Sequence, residues 1–162
     1  MIKMTQLEKL LSVAAGEIGT KEAPANSNTV KYNTWYYGRV VGGTAYPWCS
    51  TFVTWCFHTA GLMDLAWGSL DAARRAVAEG ARNWKVLGEK KKAWYSTLVY
   101  IPGDIVLFDW DKNGSIDHVG IVESVSADHK TITTIEGNTA TGNDSNDGAV
   151  MRHQRSIGLT VG

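Results

Sequence analysis

The feature that most constrains the fold is a change of pattern along the chain, from helical spacing to β-branched runs. Near the N-terminus apolar residues recur every three or four positions, at Leu7, Leu10, Leu11, Ala14 and Ile18. This spacing predicts an amphipathic helix that ends at Gly19. An aromatic helix is predicted over residues 48–60, between Pro47 and Gly61, and a further helix over residues 69–79.

The second half of the chain predicts a β-sheet. Its β-branched runs cover residues 104–108, 119–125, 131–136 and 149–155, separated by clusters of Asp, Asn, Gly and Ser. Residues 20–43, rich in Asn, Gly, Ser and Tyr, predict a long surface loop with one short helical turn. Helices followed by strands are typical of α+β proteins, so we expect one domain over residues 1–162, with helices packed on an antiparallel sheet.

The composition excludes several classes of protein. Sixteen basic and 16 acidic side chains give no net charge, whereas a general nucleic-acid binder needs an excess of Lys and Arg. No stretch approaches the roughly 20 apolar residues of a membrane span, so no membrane partner is expected. The N-terminus lacks a long apolar region and carries Glu8 and Glu17, which predicts synthesis in the cytoplasm without a signal peptide. A monomer is the default expectation.

Two cysteines, Cys49 and Cys56, lie seven residues apart in the aromatic helix. Helical geometry separates them by about 10 Å, whereas a disulfide needs Cα atoms within about 7 Å, so two free thiols are expected. Cys49 falls in the first turn, where free N–H groups and the helix dipole stabilise a thiolate. It is therefore either a nucleophile or a small core residue. Cys56, between two aromatic residues, is predicted to be core.

Two residues at strand ends are candidate partners for such a nucleophile. His118 begins an apolar strand after a polar loop, which suits a general base, although a surface histidine is the alternative. Glu136 ends the next strand, where it can accept a hydrogen bond from an imidazole or be solvated. A cysteine at a helix start with a histidine and an acid on paired strands is the papain-like arrangement of roles.

The sequence contains the segments PWCSTFVTWCFHTAG, PGDIVLFDWDKNGSIDHVGIVESV and TIEGNT. Together they resemble the signature blocks of the CHAP family, the cysteine- and histidine-dependent amidohydrolases/peptidases. The opening LLSVAAGEIGTKEAP…NTVKYNTWYYG is similar to CHAP domains of phage endolysins. The resemblance implies a papain-like α+β fold. It assigns the nucleophile to Cys49, the base to His118, the orienting acid to Glu136 and a fourth polar role to Asn138.

The activity implied by this resemblance is hydrolysis of an amide bond in bacterial peptidoglycan by a phage or prophage endolysin, with no cofactor required for the chemistry. An N-acetylmuramoyl-L-alanine amidase is expected. The alternatives are an endopeptidase that cuts the stem peptide or cross-bridge, and a non-catalytic wall-binding module. No Gln precedes Cys49 where papain-like proteases often supply an oxyanion donor, so Tyr46 is the candidate donor beside the Cys49 N–H.

The loop FDWDKNGSIDH allows two interpretations. The start of a calcium loop, in which oxygen ligands converge around a glycine, is matched by Asp109, Asp111, Asn113 and Asp117. However, the twelfth position is Gly120 rather than the glutamate of an EF-hand, and the loop leads into a strand. Asn113-Gly114 is a strong turn signal, so a plain hairpin turn is the alternative to a calcium site.

Four aromatic residues are candidates for binding muropeptides against their flat faces. Trp35 and Tyr37 lie in the predicted N-terminal loop, Tyr46 lies just before Cys49, and Trp110 lies in the Asp-rich loop. Core packing explains such residues equally well, so both interpretations stay open for them.

Overall fold

The fold is taken from a computed structural model that describes residues 4–71, 77–140 and 148–162. We label four helices, α1 (Gln6–Gly16), α2 (Lys31–Tyr37), α3 (Cys49–Thr59) and α4 (Arg82–Lys90). The strands are β1 (Ile105–Phe108), β2 (His118–Val125), β3 (Thr131–Thr139) and β4 (Ala149–Ser156). The predicted α+β order, with helices before strands, is confirmed.

The strands form one antiparallel sheet in the order β1-β2-β3-β4. Phe108 of β1 pairs with His118 at the start of β2, and Ile121 of β2 pairs with Ile135 of β3. The β3–β4 register shifts between Glu136 and Thr139. This irregularity is typical of a β-bulge and re-aims the side chains around it.

The two faces of the sheet are covered by different clusters of apolar residues. α3 packs against the face that carries Leu107, Val119, Ile121 and Ile135. The opposite face is covered by a smaller cluster of Tyr100, Val106, Phe108, Val122 and Ile132. The alternation of residues 106, 107 and 108 between these clusters is the two-residue period of a strand. The antiparallel sheet therefore lies at the centre of the domain, as expected.

Residues 20–43 contain the short helical segment that was expected, but one side of it is buried rather than on the surface. α2 lies within this segment, and its Tyr32 and Tyr36 are completely buried. The ring of Tyr32 lies 5.4 Å from that of Trp48 and 5.1 Å from that of Phe52. Residues four apart share one helix face, so α2 is held by aromatic packing on α3, which a composition rich in polar residues conceals.

Two further segments differ from the sequence-based expectation. The helix α4 was not predicted, because only Trp84 of its nine residues is buried and the apolar pattern is therefore weak. Of the helix predicted over residues 69–79, residues 72–76 lie outside the described part of the chain, residues 77–78 are helical as expected, and residues 69–71 are not. None of the helices in the described ranges has the length and apolar character needed to cross a membrane.

Candidate active site

Cys49 is the first residue of α3, and only 8% of it is exposed. The three residues next to Cys49 along the chain anchor this turn by donating hydrogen bonds. Trp48 Nε1 donates to Glu22 Oε1 (2.8 Å), Ser50 Oγ to the Ala78 carbonyl (2.6 Å) and Thr51 Oγ1 to Asn33 Oδ1 (2.7 Å). Each bond comes from a different part of the chain, so the tertiary structure holds the cysteine in place. Both cysteines are free thiols, as expected, and Cys56 is fully buried.

The N-terminus of α3 suits a nucleophile. Its N-cap residue, Trp48, supplies no side-chain cap. The N–H groups of the first turn and the positive end of the helix dipole therefore act on the Cys49 sulfur. The same N–H groups can donate to an oxyanion formed beside that sulfur.

His118 is the first residue of β2, and its ring is buried between Cys49 and Glu136. Its Nε2 lies 3.0 Å from Glu136 Oε2. The Cys49 side chain also hydrogen-bonds to His118, and Nδ1 is the ring nitrogen left for that contact. Burial alone would lower the pKa of His118, but the hydrogen bonds and charges of Cys49 and Glu136 outweigh it and raise the pKa to about 9. The imidazole is therefore charged at neutral pH.

The Glu136 carboxylate has no exposed surface and accepts four hydrogen bonds. Its Oε1 accepts from Thr134 Oγ1 (2.5 Å) and Arg155 Nε (2.9 Å). Its Oε2 accepts from His118 and from Arg155 Nη2 (2.7 Å). Burial acts to raise the pKa of Glu136, but Arg155 and His118 hold it well below its usual value. Glu136 is therefore an ionised acceptor that fixes the orientation of the imidazole.

Sequence reasoning missed two residues of this site. Arg155 on β4 is the second cation beside Glu136, and its side chain is 11% exposed. Gly120 on β2 makes room for Glu136, because a Cβ there would lie 2.8 Å from Glu136 Cγ. Neither residue has a local signal, since both contacts depend on the register of neighbouring strands.

The structure places the other predicted residues at different distances from this centre. Asn138 lies two residues beyond Glu136, is 3% exposed and has φ 59° at the register shift. The ring of Trp110 lies 5.8 Å from that of His118 and stacks on Phe108 at 4.5 Å. Trp110 therefore lies beside His118, and the roles of Trp110 and Asn138 stay predictions.

The remaining aromatic candidates pack among themselves. Trp35 lies against His58 at 4.8 Å, and that residue is about 13 Å along α3 from Cys49. Tyr37 packs on Tyr46 at 5.1 Å. The Tyr46 hydroxyl accepts a hydrogen bond from Arg39 Nη2 at 3.5 Å. Because that hydroxyl accepts from Arg39, its own proton is still available for donation, and the oxyanion role of Tyr46 stays a prediction. The contact with His58 places Trp35 away from the Cys49 thiol.

The Asp-rich loop brings its carboxylates together. Single oxygens of Asp109, Asp111 and Asp117 lie within 4.8 Å of one another, with Asp109 buried and the other two exposed. Asp109 also accepts from the N–H groups of Asn113 (3.1 Å) and Gly114 (2.8 Å). These bonds hold a tight turn, so the loop geometry agrees with a plain turn and with a calcium site alike.

Comparison with known proteins identifies the family. The model of the CHAP domain matches residues 41–138, which include Cys49, His118 and Glu136. The chain belongs to the CHAP family. This CHAP domain is similar to the crystal structure of Ly7917, with a TM-score of 0.55 and 15% identity over 97% of this chain and 60% of that chain. The likeness shows the fold, and the chain spans about three-fifths of Ly7917. No curated protein matches this sequence.

Proposed function

We propose that this CHAP domain is a cysteine-dependent peptidoglycan hydrolase that cleaves an amide bond by acyl transfer. Membership of the CHAP family supports an amidase or peptidase acting on the cell wall. The observation that carries the cysteine dependence is the buried series Cys49–His118–Glu136, in which a charged imidazole lies between the Cys49 sulfur and an ionised carboxylate. This is the arrangement that an activated sulfur nucleophile requires.

In the proposed first step, Cys49 and the charged imidazole act as a thiolate–imidazolium pair, and the thiolate sulfur attacks the carbonyl carbon of the amide. The oxyanion accepts hydrogen bonds from N–H groups at the start of α3. His118 Nδ1 then protonates the leaving nitrogen as the C–N bond breaks, which leaves a thioester on Cys49. Glu136 keeps Nδ1 directed at the sulfur by accepting from Nε2 throughout.

The second step releases the acyl group. His118 Nδ1 takes a proton from water, and the resulting hydroxide adds to the thioester carbonyl. The C–S bond breaks, the product leaves as a carboxylic acid, and the thiolate–imidazolium pair is restored. The proposed steps need no metal. Calcium binding at the Asp109 loop stays a separate prediction.

The substrate we propose is the bond between the sugar and the stem peptide, as cut by an N-acetylmuramoyl-L-alanine amidase of the phage or prophage endolysin type. Trp110 supports a role for an aromatic surface beside the thiol, since its half-buried ring lies next to His118. A peptidoglycan endopeptidase is the second candidate, because the Cys49 centre serves either amide bond.

The test is turbidity loss of purified peptidoglycan, with products identified by mass spectrometry. Wild type and Cys56→Ala should clear the suspension, whereas Cys49→Ala should not, because only Cys49 reaches His118. Both variants are checked by circular dichroism. Free stem peptides would support the amidase, and new peptide ends the endopeptidase. Clearing by folded Cys49→Ala would refute the cysteine mechanism, and retained wall binding without clearing by any variant would favour a binding module.

A further inference from the structure

Arg155 is a largely buried cation beside Glu136, and it lies outside the residues that the family model matches. It is on β4, with its Cα opposite Ile132, and its side chain reaches along β3 to Glu136. Both carboxylate oxygens accept from the guanidinium, at 2.9 Å and 2.7 Å. The matched range ends at residue 138, before β4 begins.

We propose that Arg155 is a positioning residue of the active site, whose guanidinium keeps Glu136 ionised and oriented so that His118 is held towards Cys49. This inference rests on the proposed function and adds a residue to its site. A carboxylate without exposed surface is costly to bury unless every oxygen is paired. His118 supplies one hydrogen bond, Thr134 another, and Arg155 the remaining two.

An arginine suits this position better than a lysine. The planar guanidinium donates two parallel hydrogen bonds to one carboxylate, whereas an ammonium acts as a point charge. Aromatic rings also hold its plane, since the guanidinium carbon lies 4.8 Å from the Trp110 ring centroid and 5.8 Å from that of Phe108. Trp110 in turn lies next to His118. The guanidinium is thus fixed by both the carboxylate and the Trp110 ring.

Among the described residues, the charged groups that face Glu136 are His118 from β2 and Arg155 from β4, and His118 is also faced by Cys49 from α3. His153 of β4 hydrogen-bonds to Thr139, next to this cluster, at 3.0 Å. Loss of Arg155 should destabilise the Cys49 thiolate whether Glu136 becomes protonated or stays charged. If Glu136 takes up a proton, it stabilises the imidazolium less. If it stays charged, its uncompensated charge opposes the Cys49 thiolate. In both cases the thiolate is disfavoured on the acid side.

The experiment measures alkylation of Cys49 by iodoacetamide against pH, in which the thiolate sulfur displaces iodide. Peptide mass spectrometry assigns the product, with fully buried Cys56 as the internal reference. In Arg155→Gln the acid-side midpoint should move up by about one pH unit or more, the size of shift that a close opposite charge causes. In Arg155→Lys the midpoint should shift less, since lysine keeps the positive charge but cannot donate the two parallel hydrogen bonds of a guanidinium.

Arg152→Gln is the matched control. Arg152 lies on the same strand and also makes a two-point contact with a glutamate, Glu123, but its side chain is 49% exposed. Its alkylation profile should match that of wild type. A merely structural role for Arg155 would lower the folded fraction without moving the midpoint. Superimposable profiles for Arg155→Gln and wild type would overturn the proposal. If Arg155→Gln does not fold, an alkylation midpoint of Arg155→Lys equal to that of wild type would overturn it instead.

Alkylation needs no peptidoglycan, so it separates this inference from the proposed function. A shifted midpoint in Arg155→Gln supports the positioning role whether or not a given wall is cut. Conversely, the wild-type protein could react with iodoacetamide but release no product from any wall. That result would count against the proposed hydrolase function and not against the positioning role of Arg155. When lysis is observed, the pH profile of kcat/KM should show the same acid-side shift in Arg155→Gln.

Discussion

Gly120 and Glu136 face each other across β2 and β3 so closely that a methyl group on residue 120 would lie 2.8 Å from Glu136 Cγ. Hydrogen bonds with Arg155, Thr134 and His118 hold the Glu136 side chain in this position. The glycine is thus needed for the acid to lie under the imidazole. The close approach is on the sheet face opposite α3, where a strand glycine marks contact with a neighbouring group.

Gly120→Ala should therefore reduce activity more than stability. The new Cβ displaces Glu136, which tilts the His118 ring away from the thiol, and a misplacement of about 1 Å in a catalytic group can lower the rate about 100-fold. Steady-state hydrolysis of peptidoglycan measures the effect. Gly158→Ala is the control, since its nearest contact is 3.6 Å away. Equal activity of the two variants would contradict the prediction.

His118 should titrate far above an ordinary histidine. Although burial opposes the charge, hydrogen bonds and charges from Cys49 and Glu136 raise the pKa of His118 from 6.5 to about 9. Hydrolysis should fall as the pH rises through about 9, because the imidazolium that protonates the leaving nitrogen is lost. Ring NMR signals measure the titration directly. In Cys49→Ala the pKa should be lower, and a wild-type value near 6.5 would show that the charged pair is absent.

Two threonines of α3 should respond oppositely to the same change. Thr51 is buried and donates to Asn33 Oδ1, so Thr51→Val should lower the free energy of unfolding by about 1–3 kcal/mol. Thr54 is equally buried, but its hydroxyl has no hydrogen-bond partner in the described structure. Thr54→Val should therefore be neutral or stabilising. Denaturant unfolding measures both, and a similar loss in the two variants would count against the anchoring role of Thr51.

Calcium should distinguish the two interpretations of the Asp109 loop. If the loop is a metal site, calcium should raise Tm above its value in EDTA, because the ion binds only the folded cluster. Asp111→Asn should remove that difference. Asp128→Asn is the control, since Asp128 lies in another turn and accepts from Ser126 and Lys130. Identical Tm values of wild type in calcium and in EDTA would leave the plain turn as the explanation.

Much of the fold could be predicted because its signals are local. The aromatic run after Pro47 predicted a helix over residues 48–60, and α3 covers Cys49–Thr59. The strand predictions lie within three residues of the observed ends, since β-branched runs bounded by turn residues are a short-range pattern. α2 and α4 were harder to predict, because each is stabilised by a few aromatic side chains that pack on distant residues.

The sequence by itself determined the candidates for the chemistry: a cysteine at a helix start, a histidine at a strand start, and a glutamate at a strand end. Only the tertiary structure decided how they are held. The contact of Glu136 with Arg155 and the space over Gly120 depend on strand register, and register arises from packing across the whole sheet. The anchors of Cys49 come from Glu22, Asn33 and Ala78, whose proximity exists only after the chain has folded.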